Sequence, residues 1–135
     1  MHTTIPSRLA AALALASVLG GCTVEAFTYT IDRYGTVKAT HVHLGCRDTY
    51  EVFDRPADGT LLVTSGPVNE AVADLCDGGV ARLSTPQRLR RAAEIFLAET
   101  TLRPDCRIAG ERPVSGNHVE FTYRCPTVAG RSARR

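Results

Sequence analysis

The sequence predicts a small α+β domain: an antiparallel sheet built from hairpins, two helices packed on one of its faces, and two disulfides. Three observations point that way. Several short segments alternate apolar and polar residues with a period of two, the pattern of half-buried strands. Two segments in the middle, beginning at Pro67 and Pro86, repeat their apolar residues every three or four positions, as amphipathic helices do. The five cysteines, at positions 22, 46, 76, 106 and 125, are widely spaced. Such spacing suits structural cross-links in an exported protein better than a redox or metal motif.

Phe27, Tyr29 and Ile31 alternate with Thr28, Thr30 and Asp32, and this predicts a first strand. Tyr34-Gly35 predicts a turn, after which Val42 and Leu44 share one face of a second strand. The segment TYEVFDRPADGTLLVTS reads as a hairpin. Tyr50 to Phe53 and Thr60 to Thr64 are strand formers, and Pro56-Ala57-Asp58-Gly59 supplies a fixed φ and then a residue free to take positive φ.

Pro67 suits the first position of a helix, with Ser65 or Gly66 as cap. Val68, Ala71, Val72 and Leu75 form its apolar stripe, and Gly78-Gly79 ends it. In the second helix Ser84 or Thr85 caps, Pro86 is first in, and Gln87 completes a capping box with Ser84. Leu89, Ala92, Ala93 and Phe96 make its stripe, Arg90 and Glu94 pair beside it, and it stops before Pro104. The segment CRIAGERPVSGNHVEFTYRC folds about Val114 to Gly116, with Val119, Phe121 and Tyr123 on the inward face.

That last hairpin sets Cys106 opposite Cys125. Setting Cys22 aside, the cysteines allow three pairings. Strand register favours Cys106–Cys125, and Cys46–Cys76 follows by elimination. Each cross-link contributes roughly 3 kcal/mol in the chain-entropy model.

Upstream, Arg8 precedes LAAALALASVLG, an apolar run ending in small residues. A charged start, an apolar core and a small-residue exit is the layout of a secretory signal. The run falls short of the about 20 residues that span a bilayer, and no later stretch reaches that length. Leu19-Gly20-Gly21-Cys22 resembles the lipobox of bacterial lipoproteins. The resemblance implies cleavage after Gly21, a diacylglyceryl group on the Cys22 sulfur and acylation (typically palmitate) of the new amino group. Thr23 stands where an Asp would favour inner-membrane retention, which implies the outer membrane, facing the periplasm. With Cys22 given to lipid, an even number of cysteines remains. The expected organisation is a lipoprotein signal peptide at 1–21, the lipidated cysteine and a short tether at 22–26, a single α+β domain at 27–125, and a disordered basic tail at 126–135.

Sixteen Lys and Arg residues face 14 Asp and Glu, a net charge of +2, so nothing suggests a nucleic-acid surface. The chain has no nucleophile elbow, zincin helix or phosphate-cradling loop. Its carboxylates are scattered, Ser65 and Ser115 sit before glycines in turns, and no cofactor is implied. His41 and His43 are spaced to share one side of a strand. They could chelate a metal with His118 as a third ligand, against the simpler expectation of a solvated face. The sequence therefore points to a non-enzymatic envelope module, held to the membrane by lipid and working beside an envelope protein partner. The alternative is a small-ligand or metal-binding lipoprotein using His41 and His43, and an envelope hydrolase ranks third.

Overall fold

The computed structural model describes residues 24–45, 47–76, 79–100 and 105–126. Cys22, the leader, Cys46 and the tail beyond Pro126 lie outside them. The described chain opens with a helix over residues 24–34, here α1. There follow β1 (Thr40–Val42), β2 (Tyr50–Arg55), β3 (Thr60–Thr64), α2 (Pro67–Asp74), α3 (Thr85–Glu99), β4 (Arg107–Ser115) and β5 (His118–Arg124). The strands form one sheet in the order β1-β2-β3-β5-β4, and each pair of neighbours is antiparallel. The fold class is α+β.

Local chemistry explains both hairpins. In the β2–β3 turn, Asp58 N–H donates to the Arg55 carbonyl at 3.1 Å. Gly59 takes φ +62°, a left-handed value that glycine adopts without the Cβ penalty. Val52 then faces Val63 across the ladder. The β4–β5 hairpin turns at Gly116-Asn117, and Ile108 pairs with Tyr123 despite two irregularities further along β4. That register brings Cys106 and Cys125 together as a disulfide with Cα atoms 4.0 Å apart. It is the one disulfide described with both partners, where the sequence predicts two, because Cys46 lies outside the described residues.

One sheet face carries the main core. Tyr50, Val52, Leu61, Val63, Val119, Phe121 and Tyr123 pack with Leu89, Ala92, Ala93 and Leu97 of α3, all buried. The α3 N-terminus is built as its sequence predicts: the Ser84 N–H donates to Gln87 Oε1 at 2.8 Å. Phe96, predicted in the stripe, packs at the margin of this core.

The expected strand at Phe27–Ile31 is instead α1, and it changes the architecture. Phe27 is 64% and Ile31 51% exposed, whereas Ala26 and Tyr34 are buried. The true period is Ala26, then Tyr29 and Thr30, then Arg33 and Tyr34, the three-to-four spacing of a helix face. This face lies on the opposite side of the sheet from α3, where Tyr34 meets Phe53 edge-on at 6.5 Å between ring centroids. β3 is central and covered on both faces, so its Thr60, Leu61, Leu62, Val63 and Thr64 are all buried. The two-helices-on-one-face expectation gives way to a sheet between α3 and α1. Helix α1 also takes in residues 24–26, the stretch read as tether.

Helix α2 differs too. Its predicted stripe points outward, with Val68 77% and Leu75 85% exposed, while Ala73 and Cys76 are buried. It ends at Asp74, ahead of Gly78-Gly79. Eight residues offer little apolar area, and α2 is instead held by polar contacts with the start of α3.

Candidate functional site

Helix α1 and the outer face of β4 and β5 enclose a carboxylate. Glu120, mid-strand in β5, is 7% exposed. Its Oε2 accepts from the Tyr29 hydroxyl at 2.5 Å and the Tyr34 hydroxyl at 2.7 Å, and pairs with Arg33 Nε at 2.9 Å. Its Oε1 receives Arg112 Nη2 at 3.1 Å. Arg112 also donates to the Tyr29 hydroxyl and lies over the Tyr29 ring, 4.6 Å from its centroid. Burial pushes the Glu120 carboxyl up, but hydrogen bonds from Tyr29, Tyr34 and Arg112 and the charge of Arg33 outweigh it and hold the group below the usual carboxylate range. Burial, then the hydrogen bond and charge of Glu120, push the Tyr29 hydroxyl up to about 12. A carboxylate taking four donors has little capacity left to act as a base or metal ligand. The cluster locks α1 onto the sheet.

A second polar network lies at the end of the sheet where β3 runs into α2. Arg88, 2% exposed on α3, reaches Asp74 at 2.8 Å and Glu70 at 2.9 Å. Glu70 also accepts from Ser65 Oγ at 2.5 Å and Thr85 Oγ1 at 2.6 Å. Asn69 donates to Ser65 Oγ at 2.8 Å and accepts from the Thr49 N–H at 2.5 Å. Ser65 N–H donates to the Asn117 carbonyl at 3.0 Å. The network ties α2, α3 and the β4–β5 turn together, so Ser65 is a structural residue.

The three histidines of the alternative reading do not come together. His41 is exposed on β1 and sits 3.7 Å from Glu51. His43 lies beyond the end of β1, with Nδ1 2.6 Å from the Asp48 carbonyl. His118 is on β5. The register runs His41–Glu51, Glu51–Thr64, Thr64–His118, so three strand spacings, roughly 14 Å, separate His41 from His118. Among the described residues no group of three or more His, Cys, Asp or Glu is placed to hold a metal ion.

Ser115 and His118 do meet. Ser115 Oγ is 3.0 Å from His118 Nδ1 and 3.0 Å from Asn117 Oδ1. Both residues line a cavity of about 260 Å³ with Ala26, Phe27, Thr30 and Asn117. Burial lowers the His118 pKa, and the Glu51 charge raises it in part. A nucleophile–base pair also needs a third group orienting the base. Here His118 Nδ1 is shared between Ser115 Oγ and Asn117 Oδ1, the latter at 2.9 Å. Residues 115–118 form a tight turn closing on itself.

Sequence reasoning missed the Glu120 and Arg88 clusters. Glu120 alternates with Val119 and Phe121 as a solvent-facing residue would. Arg88 had a usable signal: it falls four positions before Ala92, on the apolar side of α3. No protein-family model matches the chain, no curated protein matches its sequence and no solved structure matches its fold.

Proposed function

We propose that this chain is a lipid-anchored protein of the bacterial cell envelope, a non-catalytic accessory or interaction module held at the membrane by acylated Cys22. The observation that carries the reading is Leu19-Gly20-Gly21-Cys22 at the end of a leader-like apolar run. The Cys106–Cys125 disulfide supports an oxidising compartment. Cys76 is disulfide-bonded; if Cys22 carries lipid and Cys106 joins Cys125, elimination assigns Cys46 to it in this reading. Among the described residues no helix is long and apolar enough to cross a membrane; membrane attachment in this reading is the work of the N-terminal lipid. The outer membrane, facing the periplasm, is the expected site, on the strength of Thr23. The non-catalytic part of the reading draws on Glu120 and Arg88, whose partners satisfy them within the fold. The module then works by presenting a surface to an envelope partner.

The test is Cys22→Ser. We expect an unprocessed precursor, no acyl mass on the N-terminal peptide, and loss of the protein from washed membranes. Normal processing and membrane retention of that variant would overturn the lipoprotein reading. Crosslinking in intact cells followed by affinity capture identifies the partner, and a protein that crosslinks to nothing while binding a soluble ligand would replace the interaction reading.

A further inference from the structure

Five large apolar side chains are exposed among the described residues: Val24, Phe27, Ile31, Val68 and Leu75. Three of the five lie on α1, at spacings of three and four, and so form a single stripe along one side of that helix. The side of α1 opposite this stripe is already committed to the sheet through Ala26, Tyr29 and Arg33, and Phe27 borders the cavity that Ser115 and His118 line. We propose that the outer stripe, Val24, Phe27 and Ile31, lies in the interfacial layer of the phospholipid bilayer that holds Cys22, making α1 an interfacial helix. The inference rests on the lipid-anchor reading above.

The occupant follows from chain geometry. Val24 is two residues from Cys22, a reach of at most about 7 Å. An acyl chain on Cys22 therefore delivers the first side chain of the stripe directly to the headgroup boundary. A helix of this kind inserts its apolar side about 5–10 Å and keeps its charged residues at water level. Glu25 and Asp32 comply, standing roughly 80–100° round the helix from Val24. Three side chains are few for independent membrane binding. Tethering removes that requirement, because the local lipid concentration seen by the stripe is set by the short link. The consequence for the module is a fixed attitude, with α1 against the bilayer and the α3 side of the sheet turned away from it.

The chain contains no tryptophan, so Phe27→Trp and Ile31→Trp each introduce a single reporter at an exposed position. The processed full-length protein would be reconstituted in vesicles of phosphatidylethanolamine and phosphatidylglycerol, with and without brominated acyl chains. We expect a blue-shifted emission and loss of most of the fluorescence in brominated vesicles for both variants. Val68→Trp, on α2, is expected to emit as in water with little loss. Indoles at 27 and 31 that stay water-like and unquenched overturn the inference. So do indoles shielded in detergent by a protein of doubled mass, which would assign the stripe to a second copy of this chain. Mass spectrometry of the N-terminal peptide reads the anchor separately. Acylated Cys22 with unquenched indoles sinks this inference alone, whereas Cys22 without acyl chains sinks the anchor reading and this inference together.

Discussion

Tyr34, the last residue of α1, donates a 2.7 Å hydrogen bond to Glu120 in the middle of β5, and both side chains are buried. The same hydroxyl lies 3.3 Å from Thr60 Oγ1 on β3. One phenol thus joins the first described helix to two central strands. On the far side of the sheet a carboxylate accepts from Tyr29, Arg33 and Tyr34 of α1.

Removing that charge should loosen α1 first. Glu120→Gln takes the carboxylate from Arg33 and Arg112, which keep their contacts with the tyrosines, and weakens both tyrosine hydrogen bonds. We expect a loss of about 2–3 kcal/mol in urea unfolding, below the figure for a wholly buried pair because both arginines reach solvent. Tyr34→Phe removes one bond to a charged acceptor and should cost about 1.5–3 kcal/mol. Hydrogen exchange should show the amides of residues 24–34 opening ahead of the β3–β5 ladder. A Glu120→Gln protein with unchanged stability would refute the lock.

The same groups set a pH range of maximal stability. The Glu120 carboxyl is lowered in the fold from 4.5, so its contribution is present above that value and is lost as pH falls through the lower folded pKa. His118 is lowered from 6.5 by burial, so its contribution starts to fall below 6.5. Tyr29 is raised from 10.0 to about 12, so its contribution is complete below 10.0 and is lost as pH rises towards 12. Thermal melts across pH should show a plateau bounded by these groups. His118→Gln should flatten the first step of the acid limb, and Tyr29→Phe should shrink the alkaline limb, which it shares with Tyr34 and Tyr50, whose hydroxyls burial also raises; acid and alkaline limbs unchanged in these variants would contradict the assignment.

Cys106 and Cys125 are 19 positions apart, and a loop of that size makes the cross-link worth roughly 3 kcal/mol. Cys106→Ser with Cys125→Ser should lower stability by about that amount and leave the β4–β5 hairpin in place, since Phe121 and Val119 still pack under α3. Non-reducing peptide maps of the native protein should recover the Cys106–Cys125 pair. Free thiols at both positions would remove the cross-link from the account.

His41→Ala combined with His43→Ala should cost no more than about 1.5 kcal/mol of stability, from the lost His43–Asp48 hydrogen bond, and leave the cellular role intact, because both rings are at the surface. A variant that folds and localises normally yet loses its role would move the functional site to β1.

The sequence alone determined what depends on near neighbours. The β2–β3 turn was legible because Pro56 and Gly59 restrict backbone angles locally. The start of α3 was legible because Ser84 and Gln87 satisfy its first amides within four residues. The Cys106–Cys125 pair was legible because a tight turn dictates strand register. Tertiary structure decided the rest. Residues 27–31 alternate well enough for a strand, yet they lie in a helix whose Tyr29, Arg33 and Tyr34 partner Glu120 across the fold. Val68 and Leu75 form a proper helical stripe, yet α2 turns it outward because Glu70 and Asp74 must reach the buried Arg88. A polar side chain's partner lies wherever the fold brings it, here 86 positions away for Tyr34 and Glu120. Local periodicity reports which side of an element could be buried, and the packing partners select the side that is.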